Sequence, residues 1–247
     1  MKYKNEKIMS FNIFMGNLDK IDIKTDDKLI INTINPHSYV VSKRDKLFKE
    51  ALNDSDLLLP DGSGIVLASY FLNKSKINKI AGADIHMHLL SLLEQKKGSV
   101  FYMGASNQTL ELITTKVNNN YPNIRIGTYS PPYKEQFSEI EDKIIIDEIN
   151  RFNPDILFIG MTSPKQEKWL HNNKDNLKFN IGLSIGAVFD FYAGSVNRPS
   201  KVWVSLHLEW LIRFLYEPKR LFRRNFISSP IFLFDLFLFK LGIKKSD

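Results

Sequence analysis

Between residues 29 and 194 the chain alternates short, nearly continuous apolar runs with stretches whose apolar positions recur at helical spacing. LIINTIN (29–35) is β-branched and apolar up to a polar tip, which predicts a buried strand. SKRDKLFKEALNDSD (42–56) then sets Leu47, Phe48, Ala51 and Leu52 on one helical face. DLLLP (56–60) predicts a second strand, and Gly62–Leu72 a helix opened by glycines. SVFYMGA (99–105) predicts a third strand, feeding a helix capped by Ser106 or Asn107. IRIGTYSPPY (124–133) reads as strand then loop, 138–151 as a helix, PDILFIGM (154–161) as a strand and SPKQEKWLHNN (163–173) as a helix. FNIGLSIGAVFDFYAG (179–194) predicts one more strand.

Continuous apolar strands separated by helices imply an α/β fold: a Rossmann-like, mostly parallel sheet with helices on both faces. Ligands of such sheets bind beyond the carboxyl ends of the strands. The residues at those ends are Thr33, Asn35, Asp61, Gly104, Ser106, Thr162 to Gln166, and Asp190, and they are expected to converge.

The alternation stops near residue 197. The C-terminal segment beyond it is rich in Phe, Leu, Trp and Arg and has no strand–turn rhythm. Glu209–Arg213 and Arg213–Glu217 fit i,i+4 pairing, and Pro218 either ends one helix or starts another. The expected division is an α/β core over 1–197 and a basic, aromatic-rich helical appendage over 198–247. Because the alternation is complete before it, the core is expected to fold without the appendage.

Charge sharpens that division. The net charge is +7, and residues 198–247 hold ten Lys/Arg against four Asp/Glu. A basic tail on a nearly neutral body points to a localised anionic partner: phosphate, nucleic acid or an anionic membrane. The segment PIFLFDLFLFKLGI (230–243) is interrupted by Asp235 and Lys240 and falls short of the ~20 apolar residues a span needs. It suits the plane of a membrane interface instead. The N-terminal MKYKNEKIMSFNIFMGN has no continuous apolar core, so no signal peptide is read there.

The absence of cysteine excludes disulfides and thiolate metal sites and fits a reducing cytosol. His86 and His88, two apart, would diverge on a helix, and no histidine–carboxylate cluster has zinc spacing. Ordinary core or surface histidines are expected, with no metal and no cofactor.

Three features carry candidate chemistry. Asp61, in PDGSG, is a turn former, the neighbour of a phosphate-binding helix start, or a catalytic base. The glycines make no dinucleotide fingerprint, since Leu67 stands where the third glycine belongs, and no P-loop lysine follows. Gln166 is polar and near a strand tip, in a helix start where Pro164 and Glu167 are ordinary residues. Arg213 and Arg220 lie a heptad apart, with Arg223 and Arg224 beyond them. Guanidinium groups pair with diphosphate bidentately, although a solvated basic face explains them too.

These stretches, taken in order, carry a resemblance. TINPHSYVVSKRDKLFKEALNDSDLLLPDGSGIVLA (33–68), KIAGAD (79–84), GMTSPKQEKW (160–169), GAVFDFYAGSVNRPSKVW (186–203) and LEWLIRFLYEPKRLFRR (208–224) closely resemble the WecG/TagA/CpsF glycosyltransferases, family 26 in the usual sequence classification. The likeness runs over roughly residues 29 to 226. It implies an inverting transferase moving a sugar, N-acetylmannosamine or a related hexose, from a UDP donor to polyprenyl-diphosphate-linked N-acetylglucosamine. Such enzymes work at the cytoplasmic face of the cell membrane, in teichoic acid, common antigen or capsule synthesis. The resemblance makes Asp61 the base, places Thr33, Asn35 and Gln166 in the substrate site, and gives Arg213, Arg220 and Arg223 or Arg224 to a membrane-binding appendage. Lys79 stands where the family usually has Arg, so a bidentate contact becomes a point charge there. The stretch before Thr33 is shorter and more polar than the family pattern.

The chemistry of the residues agrees. Inverting transfer needs a base for the acceptor hydroxyl and positive charge for departing UDP. The arginines can supply that charge, so a metal-independent reaction is expected. The competing class is a membrane-associated nucleotide-binding module without turnover. A nucleic-acid binder is disfavoured by the Phe/Leu-rich tail. The donor sugar, the polymer made and the oligomeric state, homo-oligomer included, are not fixed by the residues.

Overall fold

The computed structural model describes residues 3–23, 28–195, 214–215 and 218–244. An antiparallel hairpin, β1 (Asn5–Ile8) and β2 (Phe11–Phe14), comes first. The main sheet is formed by β3 (Leu29–Ile34), β4 (Leu57–Pro60), β5 (Ser99–Gly104), β6 (Arg125–Tyr129), β7 (Ile156–Gly160) and β8 (Ile181–Ser184). Their order is β4-β3-β8-β7-β5-β6, and every pairing is parallel. The carboxyl ends of all six strands therefore share one edge.

Helices cover both faces: α1 (Pro36–Ser42), α2 (Lys46–Asn53), α3 (Ser63–Asn73), α4 (Gly82–Lys96), α5 (Asn107–Asn120), α6 (Glu139–Phe152), α7 (Lys165–Asn173) and α8 (Ala187–Ala193). The period of two along each strand divides the core. Tyr102, Phe158 and Leu183 face α4, α5 and α8, while Phe101, Met103, Leu157 and Ile159 face α6 and α7. β4, β5, β7 and β8 are buried along their whole length and read as nearly unbroken apolar runs, whereas the edge strand β6 is exposed or half-buried and carries Arg125 and Thr128.

Several boundaries differ from the sequence reading. Ser42 closes α1 rather than opening the next helix, and Asp45 caps α2 by accepting from the Phe48 N–H at 2.9 Å. The run at 179–194 is two elements, because Gly186 breaks it and residues 187–193 form α8. Strand and buried helix are equally apolar there, so hydrophobicity alone does not separate them. Helix α4 and the N-terminal hairpin are additions. The face of α4 is plain in hindsight, with Ile85, Leu89, Leu90 and Leu93 buried at helical spacing.

Toward the C-terminus, Pro218 starts a helix, α9 (Pro218–Phe222), continued by a π-helix (Arg223–Ser228) and by α10 (Ser229–Lys240). Phe232 and Leu236 of α10 are buried in one cluster with Tyr39, Ile65 and Ala68. Burying one such side chain contributes about 1.5–3 kcal/mol. Asp235, between them, is also buried and bonds to Tyr39, Lys43 and Lys244. A core that needs nothing from the appendage is not what this packing describes: removing α10 would uncover α1 and α3. No helix among the described residues is long and apolar enough to cross a membrane.

Candidate functional site

At the carboxyl edge, β3 and β4 make one corner. β3 ends at Ile34, whose carbonyl accepts the Asp61 N–H at 2.9 Å. Asn35 follows and caps α1, its Oδ1 accepting from the N–H groups of His37 at 3.0 Å and Ser38 at 3.1 Å. Gly62 has φ +97, a conformation L side chains rarely adopt, and turns the chain from β4 into α3. A Cβ on Gly64 would lie 2.5 Å from Pro36 Cγ. The glycine pair therefore serves the turn and the close approach of α3 to α1. Asp61 is half-buried at this corner, next to the Asn35 turn.

Lys79 reaches the same corner from the loop before α4: its neighbour Ile80 donates its N–H to the Pro60 carbonyl at 2.9 Å. Thr33 lies one step inside β3, half-buried and in register with Leu59. Thr33, Asn35 and Asp61 thus share the β3–β4 corner, and the chain at Lys79 runs beside it.

The arginines arrive through a residue the sequence reading passes over. His37 Nδ1 lies 2.8 Å from Ser228 Oγ, joining the first turn of α1 to the π-helix. Burial, then the charges of Arg224 and Arg223, hold the His37 pKa below its ordinary value. Arg223 and Arg224 are thus close to the β3 exit. Arg220 belongs to α9, and Arg213 lies outside the described residues. The signal for His37 was its place directly after an Asn-Pro helix start, at a strand's carboxyl end.

On the β7–β8–β5 side the predicted residues are committed internally. Gln166 is buried, and its Oε1 accepts from the N–H groups of Met161 at 3.3 Å and Gly186 at 2.9 Å. Its amide nitrogen donates to Glu167 Oε1 at 2.9 Å. Gln166 thereby clamps the loops leaving β7 and β8. Glu167 is no exposed first-turn residue; burial pushes its pKa up. Gly104, at φ +119, is in register with Gly160, and a Cβ there would fall 2.4 Å from the Gly160 carbonyl oxygen. Asp190 is half-buried in α8, its carbonyl accepting from the N–H groups of Gly194 and Ser195. Ser106 caps α5, with its Oγ accepting the Thr109 N–H at 3.2 Å.

The histidines of α4 are structural. His86 is buried, bonds Tyr102 Oη through Nε2 at 2.8 Å, and burial holds its pKa down to about 3. His88 bonds the Ile21 carbonyl at 2.9 Å. One acidic triplet, Asp54-Ser55-Asp56, has the D-x-D spacing that metal-dependent sugar transferases use. It sits at the amino end of β4, on the edge opposite Asp61. Asp56 accepts the Ile30 N–H at 2.7 Å, and Asp54 pairs with Lys174 at 2.8 Å.

The chain is similar to known proteins along most of its length. The glycosyl transferase WecG/TagA/CpsF family model matches residues 11–246. The chain is 31% identical over 219 residues to the N-acetylglucosaminyldiphosphoundecaprenol N-acetyl-β-D-mannosaminyltransferase of Bacillus subtilis (strain 168), covering 88% of this chain and 82% of that protein. It is 27% identical over 223 residues to the protein of the same name from Staphylococcus aureus (strain NCTC 8325 / PS 47), covering 90% and 85%. With a match that runs almost end to end, the chain belongs to the WecG/TagA/CpsF family of glycosyl transferases.

Proposed function

We propose that the protein is an inverting, metal-independent glycosyltransferase that moves N-acetylmannosamine or a related hexose from a UDP-sugar to polyprenyl-diphosphate-linked N-acetylglucosamine. The names of the relatives support the acceptor and the sugar. The observation that carries the reading is the corner where Asp61 and Asn35 meet, with Arg223 and Arg224 close to His37 beside it. Asp61 accepts the proton of the acceptor hydroxyl as that oxygen attacks the anomeric carbon and the bond to UDP breaks. The arginines stabilise the charge that develops on the departing diphosphate. Lys79 adds a point charge at the same corner. Gly104 and Gln166 shape the site from below rather than touching substrate, and Thr33, Asn35 and Asp190 line it.

The enzyme works at the cytoplasmic membrane face as a peripheral protein. Phe222 and Phe226, on α9 and the π-helix that carry the arginines, and Phe234 and Phe237, on α10, are each at least half exposed. Such a surface binds an interface through apolar contact and through attraction of cations to anionic lipid. The deciding experiment follows UDP release from a panel of UDP-sugars with a short-chain lipid-diphosphate-N-acetylglucosamine. Release with one donor identifies the sugar. UDP binding without release from any donor would leave a nucleotide-binding module in place of the enzyme.

A further inference from the structure

His37 occupies the first turn of α1, immediately after the Asn35 cap and Pro36. Its partner, Ser228, is the buried last residue of the π-helix, 191 positions away in sequence. A helix closed by i→i+5 bonds stacks a residue over those four and five positions before it. Ser228 therefore stands one turn above Arg224 and Arg223. Tighter α-helical winding would carry Arg223 off that face. The rare winding aligns two cations with the residue that anchors the imidazole.

The π-helix presents Arg223 and Arg224, and after burial it is their charges that hold the imidazole's pKa down. On α10 the nearby acid is Asp235, bonded to Tyr39, Lys43 and Lys244. The first turn of α3 brings Ser63 and Gly64, and the β4 exit brings Asp61. Three basic groups gathered in this way repel one another, and an arriving anion reverses the balance.

We propose that His37, Arg223 and Arg224 form one diphosphate site, in which His37 takes up a proton as the anion binds. In the neutral ring Ser228 Oγ–H donates to Nδ1, and Nε2 carries the hydrogen. The incoming proton goes from solvent to Nδ1, the Ser228 hydroxyl rotates, and Nδ1–H then donates to Oγ. The anchor survives both states because a hydroxyl is donor and acceptor alike. Nε2–H meets a phosphate oxygen, and protonation converts that contact into a charge-assisted hydrogen bond. The inference rests on the proposed transferase reading for the source of the diphosphate, which is either the UDP-sugar or the lipid-linked acceptor.

Two probes separate the sources: UDP-N-acetylglucosamine and farnesyl-diphosphate-N-acetylglucosamine, diphosphate diesters that do not titrate near neutrality. The His37 imidazole is followed by NMR in the full chain, with the other four histidines as internal controls and His37→Gln to assign the resonance. One diester is expected to raise the His37 pKa, and which one does so names the source. Affinity for that diester should increase as pH falls from 8 to 6, approaching about tenfold per unit where the free ring is neutral and the bound ring charged. His37→Gln should flatten that profile. A His37 resonance unmoved by both diesters overturns the proposal, as does a pH profile that His37→Gln leaves unchanged. Turnover plays no part in this measurement. Proton-linked binding without sugar transfer would therefore count against the transferase and leave this site standing.

Discussion

Tyr39 Oη donates to Asp235 Oδ2 at 3.0 Å across 196 positions of sequence. Lys43 reaches the same carboxylate oxygen at 2.6 Å and Lys244 the other at 2.8 Å. Asp235→Asn keeps the shape but strands two ammonium groups. Breaking a buried pair costs ~3–5 kcal/mol, but both lysines are partly exposed and can turn to water. A loss of about 2 kcal/mol in denaturant unfolding is expected. The pH dependence has a definite sign. Burial would raise the Asp235 pKa, but the bonds from Lys244, Lys43 and Tyr39 outweigh it and hold the group below its usual value. Its contribution is fully present above the unfolded carboxylate pKa of ~3.9 and disappears as pH falls through the lower folded value. The Asn variant should lack that acid-labile increment, and equal acid sensitivity in both proteins would disprove the role.

Asp61→Asn tests the base. The amide keeps the turn beside Ile34, which uses the backbone N–H. Turnover should drop ~10²–10⁴-fold with UDP affinity nearly unchanged. Wild-type turnover in the variant would remove Asp61 from the chemistry.

Gly104→Ala addresses a residue whose need is steric. The new methyl would meet the Gly160 carbonyl oxygen at 2.4 Å, on a backbone already at φ +119. Overpacking of this kind typically costs ~1–3 kcal/mol. Thermal unfolding should show a clear drop in Tm, and an unchanged Tm would mean that β5 and β7 part more easily than their register implies.

Activity should survive excess EDTA. The D-x-D triplet lies on the edge opposite Asp61, and its carboxylates are already engaged with Ile30 and Lys174. Loss of turnover on chelation, restored by Mn²⁺ or Mg²⁺, would refute arginine-based stabilisation of UDP.

Anchor and chemistry can be separated by Phe234→Ser with Phe237→Ser against Arg220→Ala. Both phenylalanines are more than half exposed, so their loss should weaken liposome binding and spare turnover on a soluble acceptor. Arg220→Ala should do the reverse. Identical behaviour of the two variants on the soluble acceptor would reduce the appendage to an anchor.

The sheet was legible because its strands other than the edge strand β6 are buried almost throughout; a run such as ILFIG can hardly be anything else. The β3–β4 corner was legible for the same reason, since the strand ends locate Asn35 and Asp61 without further information. Gln166 and Glu167 were harder. A polar residue at a strand tip looks alike whether it turns to a ligand or, as here, ties two loops together from inside. His37 and Asp235 were harder still, because their partners stand 191 and 196 positions away. No local pattern encodes a contact of that range. α10 misled for a related reason: its faces are nearly all apolar, and only packing reveals that Phe232 is inside while Phe234 is out.

The seam between α1 and α10 also sets an order of events during synthesis. Strands β3 and β4, with Asp61 at their tip, leave the ribosome long before residue 232 is made. Until then Tyr39 and Ile65 lack the phenylalanine that covers them, and the arginines that would meet a diphosphate do not yet exist. A growing chain thus holds Asp61, the proposed base, early and Arg223 and Arg224 late. On the proposed reading, a lipid-linked substrate is captured only once the segment carrying those arginines has closed over the body.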